Sequence, residues 1–131
     1  MSKPNGSIKR ILVVEDEASI TDMCRIVLTR EGFDVEIADN GMVAQEMIEK
    51  KQYDLCLVDI RMPKMSGEEL YLWLKEKYPR MVDGVIFTTG SMIDEEARTF
   101  LGRSGRPLLP KPFALRELRE VVEEALKQKK I

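Results

Sequence analysis

Ile11-Leu12-Val13-Val14-Glu15-Asp16 sets four apolar residues, mostly β-branched, directly before two carboxylates. A run this short, with no alternation of apolar and polar residues, predicts a strand buried on both faces. Leu55-Cys56-Leu57-Val58-Asp59 has the same form: an apolar run, then an acid. Val85-Ile86-Phe87-Thr88-Thr89 is a third such run, ending in hydroxyls, and Phe33 to Ala38 and the short Leu108-Leu109 complete a set of five.

Helical patterns separate these runs. Ile20, Met23, Cys24, Val27 and Leu28 recur at helical spacing, with Gly32 as a stop. Asn40-Gly41 reads as a turn before a helix that turns Ala44, Met47 and Ile48 inward. Ser66-Gly67-Glu68-Glu69 has the form of a capping box, so a helix is expected from there to Pro79. Asp83-Gly84 reads as a turn into the fourth strand; Ile93, Ala97, Phe100 and Leu101 mark a fourth helix. Leu115, Leu118, Val122, Ala125 and Leu126 mark a fifth, whose lysine-rich end suits a helix C-terminus. Strands alternating with helices imply an α/β fold with a parallel sheet covered on both faces. Five strands joined by right-handed crossovers make a doubly wound, flavodoxin-like (βα)5 order 2-1-3-4-5 the natural candidate.

Bulk properties narrow the function. The 131 residues fit one domain, and 44% apolar with 34% charged residues can fill and coat a single core. A net charge of -2 gives no sign of the basic surface that nucleic acid requires. No apolar run approaches the roughly 18 residues that span a bilayer, and Met1 to Ser7 lacks the apolar stretch of a signal peptide. A cytoplasmic protein without membrane contact is the default expectation. Cys24 and Cys56 sit inside apolar patterns and read as buried thiols rather than a disulfide or metal pair. There is no histidine, so no histidine base, metal ligand or phosphohistidine can come from this chain.

In a doubly wound sheet, ligands bind beyond the carboxyl ends of the strands at the switch point. Here the first strand ends in Glu15-Asp16, the third in Asp59 and the fourth in Thr88-Thr89, while the fifth runs into Lys111. The first and third strands would be neighbours, crowding their acids. Two unit charges ~4 Å apart repel by about 4 kcal/mol at an effective dielectric near 20, so the cluster invites a cation or a bound proton. All-oxygen ligation suits a hard ion such as Mg2+. A carboxylate beside such an ion can attack phosphorus, and a lysine and a threonine suit the phosphoryl oxygens. An acid after a strand is also a common helix cap, a reading open for Asp16.

The chain resembles the receiver domains of two-component response regulators from about Ile8 to Lys127. The resemblance rests on Ile11-Leu12-Val13-Val14-Glu15-Asp16-Glu17, Leu57-Val58-Asp59-Ile60-Arg61-Met62-Pro63-Lys64-Met65-Ser66-Gly67, Phe87-Thr88-Thr89-Gly90 and Leu109-Pro110-Lys111-Pro112-Phe113. It implies a tail over residues 1–7, a receiver domain over 8–128 and a tail over 129–131. It implies that Asp59 is the phosphoacceptor and that Asp16 ligates Mg2+ directly, with Glu15 acting nearby through water. The backbone carbonyl of Arg61 would complete the protein ligands. Thr89 would bond a phosphoryl oxygen, Lys111 would pair with it, and Lys111-Pro112 would be cis. The implied donor is a histidine kinase or a histidine phosphotransfer protein. The expected output surface is helix four, strand five and helix five, on a monomer or weak dimer.

One position departs from the family. An aromatic often stands three residues before the lysine; here it is Leu108, preceded by Gly105-Arg106-Pro107, a stretch similar to receivers fused to hybrid sensor kinases. The resemblance therefore carries no threonine–aromatic switch over to this chain. The same departure motivates the alternative of a pseudo-receiver, an interaction module that does not cycle phosphate. A small-substrate phosphohydrolase fits less well, because Arg61 stands where its second acid is expected. A dinucleotide-binding domain fits least, since no glycine-rich loop follows the first strand.

Overall fold

The structure, a computed structural model, describes residues 8–90 and 93–129. The strands are β1 (Arg10–Val14), β2 (Asp34–Ala38), β3 (Leu55–Asp59), β4 (Val85–Thr89) and β5 (Leu108–Pro110). The helices are α1 (Ala18–Arg30), α2 (Gly41–Lys50), α3 (Gly67–Lys77), α4 (Glu95–Ser104) and α5 (Leu115–Lys129). All pairings are parallel, in the order β2-β1-β3-β4-β5. This is the expected doubly wound sheet.

Successive strand residues point to opposite faces, and the unbroken apolar runs feed two cores. Leu12, Val14, Cys56, Val58, Val85 and Phe87 pack with Ala44, Ile48, Leu70, Leu74 and Leu101 of α2, α3 and α4. Ile11, Val13, Leu55, Leu57 and Ile86 pack on the other face with Cys24, Leu28, Leu118 and Val122 of α1 and α5. Cys24 and Cys56 are therefore separated by the sheet itself, and both are free and buried. Burial pushes each thiol up to about 12, leaving it inert at neutral pH.

Local signals set the helix ends. The capping box forms as read: the Glu69 amide donates to Ser66 Oγ at 3.1 Å and the Ser66 amide to Glu69 Oε1 at 2.9 Å. Asn40 does more than turn the chain, accepting the Val43 amide at 2.9 Å as the cap of α2. Asp94 caps α4 through Ala97, so Ile93 lies just before that helix. Gly32 (φ 96°) and Gly105 (φ 68°) adopt the left-handed backbone that ends α1 and α4. Pro79 opens a 3-10 helix, Pro79–Gly84, which absorbs the expected Asp83-Gly84 turn. α5 continues to Lys129, one residue past the expected domain boundary, and the tail at 1–7 lies outside the described residues.

Gly67 joins the fold to the strand end that matters. A Cβ there would lie 2.6 Å from the Asp59 carbonyl oxygen and 2.8 Å from Ile60 Cα. Only a glycine lets α3 start this close to the end of β3. Gly67→Ala is expected to cost about 1–3 kcal/mol. Gly102→Ala, inside α4 with nothing within 4 Å of the new methyl, is expected to gain about 0.5–1 kcal/mol. Urea unfolding of the two variants should give shifts of opposite sign.

Candidate functional site

Four strand ends converge at the carboxyl edge of the sheet. Glu15 and Asp16 follow β1, Asp59 ends β3, Thr89 ends β4 and Lys111 follows β5. The loop amide of Glu15 donates to Ala38, that of Ile60 to Thr88 and that of Lys111 to Thr89 (3.0, 2.9 and 2.8 Å), continuing the ladders past the strands and fixing where each side chain starts. Lys111-Pro112 is cis, as the resemblance implies.

Lys111 is the hub. Its ammonium donates to Glu15 Oε2 at 3.0 Å, Glu17 Oε1 at 2.8 Å and Asp59 Oδ2 at 3.1 Å. The partners differ in exposure: side chains of Glu15, Asp59 and Glu17 are 2%, 6% and 57% accessible. Burial works to lower the Lys111 pKa, but the bonds to Glu17, Glu15 and Asp59 outweigh it and hold the ammonium above its ordinary range. Burial raises the Glu15 carboxyl, and the charge of Asp59 raises it further; the hydrogen bond from Lys111 opposes both.

Ligand atoms of Glu15, Asp16 and Asp59 all lie within 4.8 Å of one another. Three carboxylate oxygens that close, two of the acids buried and Asp16 exposed, fit a hard divalent cation. Asp16 does not cap α1; that place is taken by the Glu17 backbone, without a side-chain cap bond. Arg61 lies in the loop after β3, and its amide donates to Asp59 Oδ1 at 3.1 Å. Among the described residues, the hydroxyls of Thr88 and Thr89 are buried with no hydrogen-bond partner. An unpartnered buried hydroxyl costs about 1–3 kcal/mol and is common where a ligand group is received.

Two contacts were not foreseen from the sequence. Glu17 as a Lys111 partner had one signal, the run Glu15-Asp16-Glu17. Arg106 serves the fold instead: its guanidinium donates to the Val85 carbonyl at 2.9 Å and the Asp83 carbonyl at 2.7 Å, pinning the start of β4.

The family model described as "Response regulator receiver domain" matches residues 11–123. The chain belongs to that family. Among its relatives is the response regulator protein PilR of Pseudomonas aeruginosa, 33% identical over 121 residues, covering 92% of this chain and 27% of PilR. Another is the transcriptional regulatory protein CpxR homolog of Haemophilus influenzae, 36% identical, covering 85% of this chain and 47% of that protein. The chain thus spans about half or less of these curated relatives. Among solved structures, a CheY-like response regulator receiver domain protein from Methanospirillum hungatei superposes with a TM-score of 0.86 at 34% identity, covering 95% of this chain and 98% of that one. The receiver domain of a signal transduction histidine kinase from Syntrophus aciditrophicus superposes at 0.81 with 26% identity, over 92% and 91% of the two chains. The receiver is thus a component of two-component signalling, and no helix among the described residues is long and apolar enough to cross a membrane.

Glu15 gives the electrostatics a direct check. Its proton-bound form is favoured by the fold, so its contribution is present below the unfolded pKa and is lost as pH rises through the folded one. In metal-free protein, Glu15→Gln is expected to raise stability at neutral pH by on the order of 1 kcal/mol. The gain should shrink as pH falls and the wild-type carboxyl takes its proton. Urea unfolding across about pH 4 to 8 would show it; a loss at neutral pH would mean the Lys111 bond outweighs the burial of charge.

Proposed function

We propose that this receiver accepts a phosphoryl group on Asp59 from a phosphohistidine and changes its protein contacts in response. The observation that carries the reading is the pairing of one buried carboxylate, Asp59, with both a lysine ammonium and a cation-sized cluster of acids. A carboxylate held alone in such a place would be an unpaired buried charge. Held here, it is a nucleophile with one counter-charge, Lys111, in place and beside acids that would hold a second.

Asp59 attacks through a carboxylate oxygen, forming a P–O bond while the P–N bond of the donor imidazole breaks and the imidazole leaves with the bonding pair. The donor is a histidine kinase or histidine phosphotransfer protein, because this chain has no histidine. Asp16, Asp59, Glu15 (through water) and the Arg61 carbonyl would hold Mg2+. The ion would neutralise charge on the phosphoryl oxygens. The Arg61 amide donates to Asp59 Oδ1 and Lys111 to Oδ2, both at 3.1 Å; attack through Oδ2 keeps the new phosphoryl group beside Lys111. Lys111 then follows the charge onto the phosphoryl group, and the unpartnered Thr89 hydroxyl donates to one of its oxygens. Water attacking the same phosphorus forms a new P–O bond while the bond to Asp59 breaks, releasing inorganic phosphate and the carboxylate, so the domain assists its own phosphorylation and dephosphorylation without turning over a separate substrate. The setting is cytoplasmic.

The output surface is α4, β5 and α5, where Leu108 and Leu115 are exposed. In NMR, a phosphoryl mimic with Mg2+ is expected to shift resonances on this face as well as at the site; shifts confined to the site would remove the proposal for output.

Incubated with Mg2+ and a small acyl phosphate, the intact chain is expected to gain one acid-stable, base-labile phosphoryl group. Chelating the metal, or Asp59→Asn, should abolish the gain, and Thr89→Ala should slow it about 10-fold or more. Mass spectrometry of the intact protein reads all of these. If the wild-type chain gains nothing, the pseudo-receiver reading replaces this one.

A further inference from the structure

Lys111 has three N–H donors, and Glu15, Glu17 and Asp59 take one each. When Asp59 Oδ2 takes the phosphoryl group, the N–H that meets it passes to a phosphoryl oxygen farther out, and the ammonium can follow only if a remaining bond gives. The three carboxylates are not equal candidates. Glu15 is 2% exposed, and losing its ammonium would strand a buried charge. The bond to Asp59 is the one that moves onto the phosphoryl group. Glu17 is 57% exposed, so water can replace the ammonium there at small cost.

Glu17 is also held in place by its backbone. Its amide donates to Glu15 Oε2 at 3.1 Å, and its carbonyl accepts the Ile20 and Thr21 amides at the start of α1. It occupies the N-cap of α1, yet its carboxylate makes no cap bond. The carboxylate goes to Lys111 instead.

We propose that Glu17 is a positioning residue that restrains the Lys111 ammonium in the unphosphorylated domain, and that releasing this contact contributes to the barrier for loading Asp59. The proposal rests on Asp59 being the phosphoacceptor. Releasing Glu17 moves no covalent bond; it frees the ammonium to follow the phosphoryl oxygen. The strength of the restraint sets how fast the domain loads from a given donor.

A plain charge effect makes a rival account, since a nearby carboxylate also repels an anionic donor. Two variants separate the two. Glu17→Gln removes both the charge and the ion pair. Glu17→Asp keeps the charge but draws the carboxylate back by about 1.5 Å, one C–C bond, from a backbone that the cap bonds hold. Aspartate is a preferred N-cap residue, so Glu17→Asp should not lower the melting temperature.

The test is the rate of phosphorylation by acetyl phosphate with Mg2+, followed to saturation in the wild-type chain and both variants. Restraint by Glu17 predicts a higher plateau rate in both, by about twofold to fivefold, with the half-saturating donor concentration unchanged. If Glu17→Gln is faster and Glu17→Asp matches the wild type, repulsion alone is at work and the proposal is overturned. It is equally overturned if neither variant is faster, or if only the half-saturating concentration moves. Absence of phosphorylation in the wild type would instead refute the phosphoacceptor role of Asp59.

Discussion

Two carboxylates, Glu15 and Asp59, are buried at adjoining strand ends, and one ammonium compensates both. Burying a charge without a partner costs several kcal/mol, more than most single contacts in a domain contribute. The fold tolerates this pair because Lys111 reaches it from β5, across β4. The sheet order makes that possible: β1 and β3 are neighbours, so their acids meet, and β5 ends on the same edge because every strand runs the same way. An antiparallel β5 would send its lysine to the opposite edge.

The cost of the site is offset by the rest of the chain. Both faces of β1, β3 and β4 are sealed by apolar side chains, so Glu15 and Asp59 sit at the edge of a low-dielectric core that strengthens their charge interactions. Gly67 lets α3 close onto the backbone of Asp59 and Ile60. Even the 3-10 helix and Arg106, far from the acids, act on the same strands: Arg106 pins Val85, where β4 begins its run to Thr89.

The apolar runs were legible because a strand buried on both sides needs no alternation, and because they are short and rich in β-branched residues. The acids were legible as a site because each directly follows such a run. Less legible was anything set by the reach of a long side chain. Glu17 is an ordinary exposed acid in the sequence, and its contact with a lysine 94 positions later exists only through the packing of β5 beside β4. Arg106 looked like part of a family signature, yet its donors satisfy carbonyls whose partners no local pattern reveals. Asn40 was read as a turn, and its capping bond shows the same residue serving both purposes, since a cap is the turn into a helix.

Leu108 bears on how a change at the site can reach the surface. It pairs in register with Phe87 but is 37% exposed and carries no ring. Phe87, two residues before Thr89, is fully buried and stands 5.6 Å from both Tyr71 of α3 and Phe100 of α4, which are themselves 5.5 Å apart. Such ring pairs contribute about 0.5–1.5 kcal/mol each beyond their buried area. The aromatic link between β4 and α4 therefore runs beneath the helix, through the core, and not along the edge strand. A close-packed core responds to displacement by shifting neighbours rather than by compressing. Phe87 stands two residues before Thr89 on the same strand, so the strand that carries the Thr89 hydroxyl is packed against α4 through this ring, without an aromatic at position 108.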